Sequence, residues 1–195
     1  MKCAYINLGC KVNAYETEGI ASAMEQEGYE RVSFGEEADV IVIFTCAVTN
    51  TAAAKSRKMI HRSRRTYPNA VIAVAGCYAQ IDPEALAEAD VLIGTKHKPL
   101  LAQYIAQYRA TGKRITDVSD LTGAAFEPLP VEQFEGKTRA FLKIQDGCNQ
   151  FCTYCVIPYA RGRERSMEPD QVIEEAKKIA SHPPEIVLAG IHTGR

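Results

Sequence analysis

The sequence has no excess of one charge, no long unbroken apolar run and no fourth ligand beside its densest group of cysteines. Each absence excludes something. Lysine and arginine number 23 against 24 aspartates and glutamates, a formal net charge of −1, too small for a protein that binds polyanions over its whole surface. Contact with nucleic acid is therefore expected at a local patch or on a segment outside this sequence. The opening stretch, MKCAYINLGCKVN, is a short apolar run broken by polar residues. It reads as neither a signal peptide nor a membrane span. No membrane partner is expected, and the cysteines are expected to sit in a reducing cytoplasm, as metal ligands or redox groups rather than disulfides. There are seven of them (Cys3, Cys10, Cys46, Cys77, Cys148, Cys152 and Cys155), and an odd number fits full pairing poorly.

What is present is an ordinary globular composition, 195 residues with 46% hydrophobic and 24% charged, enough for one full domain and part of another. Apolar runs alternate with helical patterns. Strands are expected at Cys3–Leu8, Val40–Phe44, Ala70–Ala75 and Val91–Gly94. Helices are expected at Ala14–Glu27, Thr51–Thr66, from Pro83, and at Pro99–Arg109. Such alternation means a parallel sheet covered on both faces, so residues 1–111 read as a doubly wound α/β domain. Residues 112–138, with Gly123, Pro128, Pro130 and Gly136, read as a linker. A second unit begins at Arg139: the strand AFLKIQ, a cysteine loop, a helix from Pro169 to about Ser181 stopped by Pro183-Pro184, and the strand EIVLAG.

Six of the cysteines fall into two sets of three. Cys10, Cys46 and Cys77 each come just past an expected strand, in LGC, FTC and AGC. In an open parallel sheet the carboxyl ends of the strands share one edge, where such folds place ligands. An isolated cysteine usually acts as a small buried hydrophobe, and Cys3, inside a strand, is read that way. Three at equivalent strand ends point instead to a three-thiolate site. The second set, GCNQFCTYC, spaces Cys148, Cys152 and Cys155 as C-x3-C-x2-C. A structural zinc site is normally closed by four ligands, and His182 and His192 are too remote in sequence to complete a regular finger. Thiolates also select iron–sulfur clusters. Three cysteines on a cubane leave one iron open, a place for a substrate.

C-x3-C-x2-C after the first strand of a βα series, with Tyr154 before the last cysteine, resembles the radical S-adenosylmethionine superfamily. Together GCKVNAYETE, TCAVTNTAAAKSR, AGCYAQ and IQDGCNQFCTYCVIPYARGRERS resemble the methylthiotransferases of that superfamily. The resemblance implies the start of a partial βα barrel after residue 138. It implies a radical-generating 4Fe–4S cluster on Cys148, Cys152 and Cys155 whose open iron binds S-adenosyl-L-methionine. Tyr154 would pack beside the adenine, and Ala189-Gly190 would approach the methionine amino group. It further implies an auxiliary 4Fe–4S cluster on Cys10, Cys46 and Cys77, no catalytic residue beyond the cluster ligands, and an electron donor such as flavodoxin or ferredoxin.

The methylthiotransferases divide by substrate: isopentenyladenosine in tRNA, threonylcarbamoyladenosine in tRNA, or an aspartate of a ribosomal protein. CKVNAYET and TCAVTN are most similar to the threonylcarbamoyladenosine group, although Phe44 stands where the family usually has asparagine. Two basic clusters bear on RNA. Lys55, Lys58, Arg62 and Arg65 share one helical face beside Arg57, His61 and Arg64, as a solvated surface or as phosphate contacts. Arg161, Arg163 and Arg165 follow the cysteine loop and are expected to meet a nucleotide or RNA phosphate. An iron–sulfur or zinc module without turnover is the reading from another class. A complete βα barrel takes roughly 200–250 residues, whereas Arg139 to Arg195 supplies 57. The chain is therefore expected to be part of a longer enzyme and to lack methylthiolation activity by itself.

Overall fold

The computed structural model describes residues 1–129, 131, 138–180 and 185–194. In chain order the first part contains β1 (Lys2–Asn7), α1 (Lys11–Gln26), β2 (Glu30–Val32), β3 (Val40–Thr45), α2 (Asn50–Thr66), β4 (Val71–Gly76), α3 (Cys77–Ile81), β5 (Val91–Ile93), α4 (Leu101–Thr111) and β6 (Ile115–Asp117). The strands form one six-stranded sheet in the order β2-β1-β3-β4-β5-β6, parallel throughout. β3 and β4, VIVIFT and VIAVAG, are buried at every residue, as strands covered on both faces must be. Alternate side chains feed two cores. Val40, Val42, Phe44, Ala73 and Ala75 meet Tyr15, Ile20 and Met24 of α1 and Ile105 of α4. Ile41, Ile43, Ile72 and Val74 meet Ile60 of α2 and Tyr78 of α3 on the other face. This is the doubly wound α/β arrangement. Phe44 is fully buried in the first core, an apolar packing residue.

The second part contains β7 (Arg139–Lys143), β8 (Gln145–Asp146), α5 (Ile157–Arg161), β9 (Arg165–Ser166), α6 (Pro169–Ile179) and β10 (Glu185–Ala189). β7 and β10 are parallel, in register from Arg139↔Glu185 to Lys143↔Ala189, and α6 is the crossover between them. β10 is paired on one side only among the described residues, with Leu188 exposed. The two parts share a core: Leu129, Val131, Ala140, Leu142 and Ile179 join the cluster around Tyr15 and Ile20. Helix α1 therefore lies between the sheet and β7, which explains why Asn13, Glu16, Thr17 and Glu18 are as buried as its apolar residues.

Several elements depart from the sequence reading. β6 extends the sheet from inside the stretch read as linker, pairing Val91↔Ile115 through Ile93↔Asp117; three residues are too few to display a strand period. The helix expected from Pro83 is a single 3-10 turn at Glu84–Leu86, and the α-helical turn lies earlier, at Cys77–Ile81. The strand expected through Gln145 divides at Ile144, whose N–H donates to Ala189 O while its carbonyl accepts from Met167 N, so the chain changes partner there. Ser181, His182, the Pro183-Pro184 stop, Pro130, Gly136 and Arg195 lie outside the described residues. Among the described residues no helix is long and apolar enough to cross a membrane.

Candidate functional site

β1, β3 and β4 are adjacent in the sheet, and the chain leaves β1 for β2 on one side but places β3 on the other. The carboxyl end of β1 and β3 is therefore the switch point, where two loops diverge and a crevice opens. Cys10 caps the start of α1, three residues beyond Asn7, which is in register with Phe44. Thr45 is in register with Gly76, so Cys46 and Cys77 leave their strands side by side; neighbouring strands lie about 4.8 Å apart. Gly76 makes this possible. Its φ is +108°, and a Cβ there would stand 2.7 Å from Thr45 O. Asn13 is fully buried and ties the edge together: its Oδ1 accepts from Cys10 Sγ at 3.4 Å and its Nδ2 donates to Thr45 O at 3.4 Å. Cys10 is exposed, whereas Cys46 and Cys77 are buried. Burial pushes the Cys77 thiol up despite the nearby Arg161 guanidinium. Cys3 is buried in β1 and its thiol is pushed up to about 12 by desolvation, as befits a core residue.

The second set sits on a loop pinned at its base. Gly147 has φ +74°, and a Cβ would meet Arg163 O at 2.0 Å. Its N–H donates to Asp146 Oδ1, and Cys148 N donates to Gly162 O at 3.1 Å. Cys152 is exposed and Cys148 and Cys155 are half-buried. Tyr154 is 91% exposed, an aromatic ring offered to solvent. Gln145 braces the loop against the turn after β10: its Nε2 donates to Asp146 O and Gly147 O, and its Oε1 accepts from Ile191 and His192 N–H. Ala189 is buried, and Gly190 leaves no room for a side chain, since a Cβ would meet Thr193 Cγ2 at 2.6 Å and Gln145 at 3.0 Å. Among the described residues no three Cys, His, Asp or Glu side chains close into a metal-holding group. The fold shares out an edge for the first set and a loop for the second.

Between the sets lies a buried ion cluster that the sequence reading missed. Arg161 is fully buried. It donates from Nη1 to Asp146 Oδ1 at 3.0 Å and Glu16 Oε1 at 3.1 Å, from Nη2 to Glu16 Oε2 and Asn13 Oδ1, both at 3.2 Å, and from Nε to Cys77 Sγ at 3.2 Å. The expectation that Arg161 meets RNA phosphate is therefore corrected: water and phosphate cannot reach a guanidinium enclosed by four residues. Lys143 and Lys98 complete the cluster, 3.1 and 3.4 Å from Glu16 Oε1. Burial alone would raise the two carboxyls. The cations outweigh it, holding Glu16 well below the usual range and Asp146 at about 2. Burial also holds the Lys98 ammonium below its ordinary value, against the pull of Glu16.

Of the other cationic candidates, Arg165 turns inward to Arg161 O, Arg163 O and Asp146. Arg163 is exposed, its guanidinium 5.3 Å from the centre of the Phe151 ring, which stands edge-on to Tyr159. On α2, Arg64 binds Asp90 and Arg57 packs on Tyr78, while Lys55, Lys58, Arg62 and Arg65 form an exposed face.

The family model described as "Uncharacterized protein family UPF0004" matches residues 2–94, and that of the "Radical SAM superfamily" matches residues 142–193. A Bacillus subtilis protein named threonylcarbamoyladenosine tRNA methylthiotransferase is 48% identical over 196 residues, 98% of this chain and 44% of its own length. An Aquifex aeolicus protein of the same name is 39% identical over 200 residues, 97% of this chain and 48% of its own length. A Clostridium novyi tRNA-2-methylthio-N(6)-dimethylallyladenosine synthase is 35% identical over 192 residues, 93% of this chain and 42% of its length. Along nearly its whole length the chain is similar to radical S-adenosylmethionine methylthiotransferases. It spans about half the length of the curated relatives it matches. S-adenosylmethionine and iron–sulfur chemistry are what this family implies, and the methylthiotransferase residues fit a thiolate-bound group. Three sulfurs stand on one sheet edge and three on one loop. Beside the first set the buried Arg161 donates from Nε to Cys77 Sγ at 3.2 Å, a contact suited to a thiolate.

Proposed function

We propose that the chain serves an enzyme that adds a methylthio group to N6-threonylcarbamoyladenosine beside the tRNA anticodon, using S-adenosylmethionine and two 4Fe–4S clusters. The observation that carries this reading is the pair of three-cysteine sets, one at the switch point of the sheet and one on the pinned loop. The substrate rests on the 48% identity to a relative named for that nucleoside. Cys10, Cys46 and Cys77 would hold the auxiliary cluster, and Cys148, Cys152 and Cys155 the other. The latter cluster, when bound with S-adenosylmethionine, supplies one-electron cleavage of the sulfonium bond.

The chain's own residues position and shield. Gly147, Gly162 and Asp146 fix the base of the second loop. The exposed Tyr154 ring is free to lie against an adenine, and Gly190 allows a close backbone approach of the methionine end. Arg163 and the α2 face remain as candidate phosphate contacts, and Arg165 as a weaker one. Residues 1–111 and 139–195 are proposed as the auxiliary and radical units, the first extended by β6. The surroundings are a reducing cytoplasm with a flavodoxin- or ferredoxin-type electron donor.

Anaerobic reconstitution tests the clusters. About eight irons per chain are expected if both form. Replacement of either cysteine set by alanine should halve the iron, and stoichiometric zinc without charge-transfer absorption would overturn the reading. Mass spectrometry of tRNA nucleosides from a deletion strain tests the substrate. Loss of the methylthio group from the dimethylallyl nucleoside alone would transfer the assignment to the sister activity, for which the Clostridium novyi relative is named.

A further inference from the structure

Arg161 is where the two cysteine sets meet. It ends α5, just after the second set, yet its Nε donates to Cys77 Sγ of the first set at 3.2 Å. Its Nη2 donates to Asn13 Oδ1, the oxygen that also accepts from Cys10 Sγ. On its far side Nη1 binds both oxygens of Asp146, at 3.0 and 3.1 Å, immediately before Gly147-Cys148. One buried cation thus touches a ligand of the first set directly, a second through Asn13, and the base of the second loop through Asp146. No water competes at this position, because the side chain has zero exposure.

We propose that Arg161 is a positioning residue that sets the electron affinity of the iron–sulfur group held by Cys10, Cys46 and Cys77, and couples it to the loop carrying Cys148. The proposal rests on the two-cluster reading above. A guanidinium N–H donated to a coordinating sulfur withdraws electron density from iron and favours the more negative, reduced state; hydrogen bonds to the sulfurs, net charge and burial all set such potentials. The carboxylate of Asp146 opposes this by balancing the guanidinium charge from the other side. The two residues therefore act on the group with opposite signs.

The test uses the full chain with Cys148, Cys152 and Cys155 changed to alanine, so that only the first set takes up iron. Its midpoint potential is read by a redox titration followed by electron paramagnetic resonance, beside iron content and thermal melting. Arg161→Lys keeps a cation among Glu16 and Asp146 but puts a methylene where the Nε–H donor stood; the potential should move to a more negative value. Asp146→Asn removes the opposing charge without removing the contact to Cys77; the potential should move to a more positive value. A role in folding alone would lower iron content or the melting temperature while leaving the potential of the remaining cluster unmoved. Potentials that match the parent in both variants would overturn the proposal. Should Arg161→Lys fail to fold, the Asp146→Asn shift decides it by its presence or absence. If the parent protein takes up no iron at the first set, the two-cluster reading falls and the proposal with it. If the parent takes up iron and the potentials stand still, the proposal alone falls.

Discussion

Changing Glu16 to glutamine tests the ion cluster as the joint between the two parts of the molecule. The glutamine keeps the shape and one acceptor oxygen but removes the charge to which three cations turn. Arg161 reaches both Glu16 oxygens at 3.1 and 3.2 Å, Lys143 lies at 3.1 Å and Lys98 at 3.4 Å, with no side chain more than 2% exposed. In E16Q these cations face the Asp146 carboxylate alone. Removing one partner of a buried pair typically costs about 3–5 kcal/mol. The three contacts do not add, because all three cations share the one Glu16 carboxylate. A destabilisation of about 3–5 kcal/mol corresponds to a melting temperature lower by roughly 6–20 °C for a chain of this size. Urea unfolding of iron-free, reduced protein at pH 7, followed by circular dichroism, measures it, with Glu37→Gln as control. Glu37 pairs with Lys2 at 3.1 Å but its side chain is 87% exposed, so screening leaves that pair little to lose. An E16Q midpoint indistinguishable from that of E37Q would refute the argument.

Acid should weaken the same joint. Asp146 is held at about 2 against an ordinary value of 3.8, because Arg161 and Lys143 outweigh its burial. With the folded value below the unfolded one, its stabilisation is complete above about pH 4, disappears as pH falls towards 2, and amounts to roughly 2 kcal/mol; urea midpoints over that range should fall less steeply in D146N. Gly76→Ala forces a side chain into φ +108° and against Thr45 O. A loss of at least about 1–3 kcal/mol is expected, and a G76A protein that melts with the parent would contradict it. Gly147→Ala, whose Cβ would meet Arg163 O at 2.0 Å, should detach the base of the second loop. Alkylation of Cys148 should then be faster than in the parent, and an unchanged rate would count against the pinned loop.

The sequence by itself determined the layered α/β class and the positions of the six cysteines relative to strand ends. VIVIF and AVIAVA carry their burial in their composition, and the periods of 2 and 3.6 are local properties that need no partner. The C-x3-C-x2-C spacing is local as well. What escaped the sequence is what depends on distant partners. β6 is three residues long and becomes a strand only because β5 offers an edge. The run Arg-Gly-Arg-Glu-Arg reads as a cluster for a nucleotide or RNA phosphate, yet only Arg163 of its three arginines is exposed. Glu16, fully buried in α1, finds Lys143 and Arg161 at separations of 127 and 145 positions. A charged side chain looks the same in sequence whether water or a carboxylate solvates it. The tertiary structure made that choice by laying α1 between the sheet and β7, which removed water and left the charges to solvate one another.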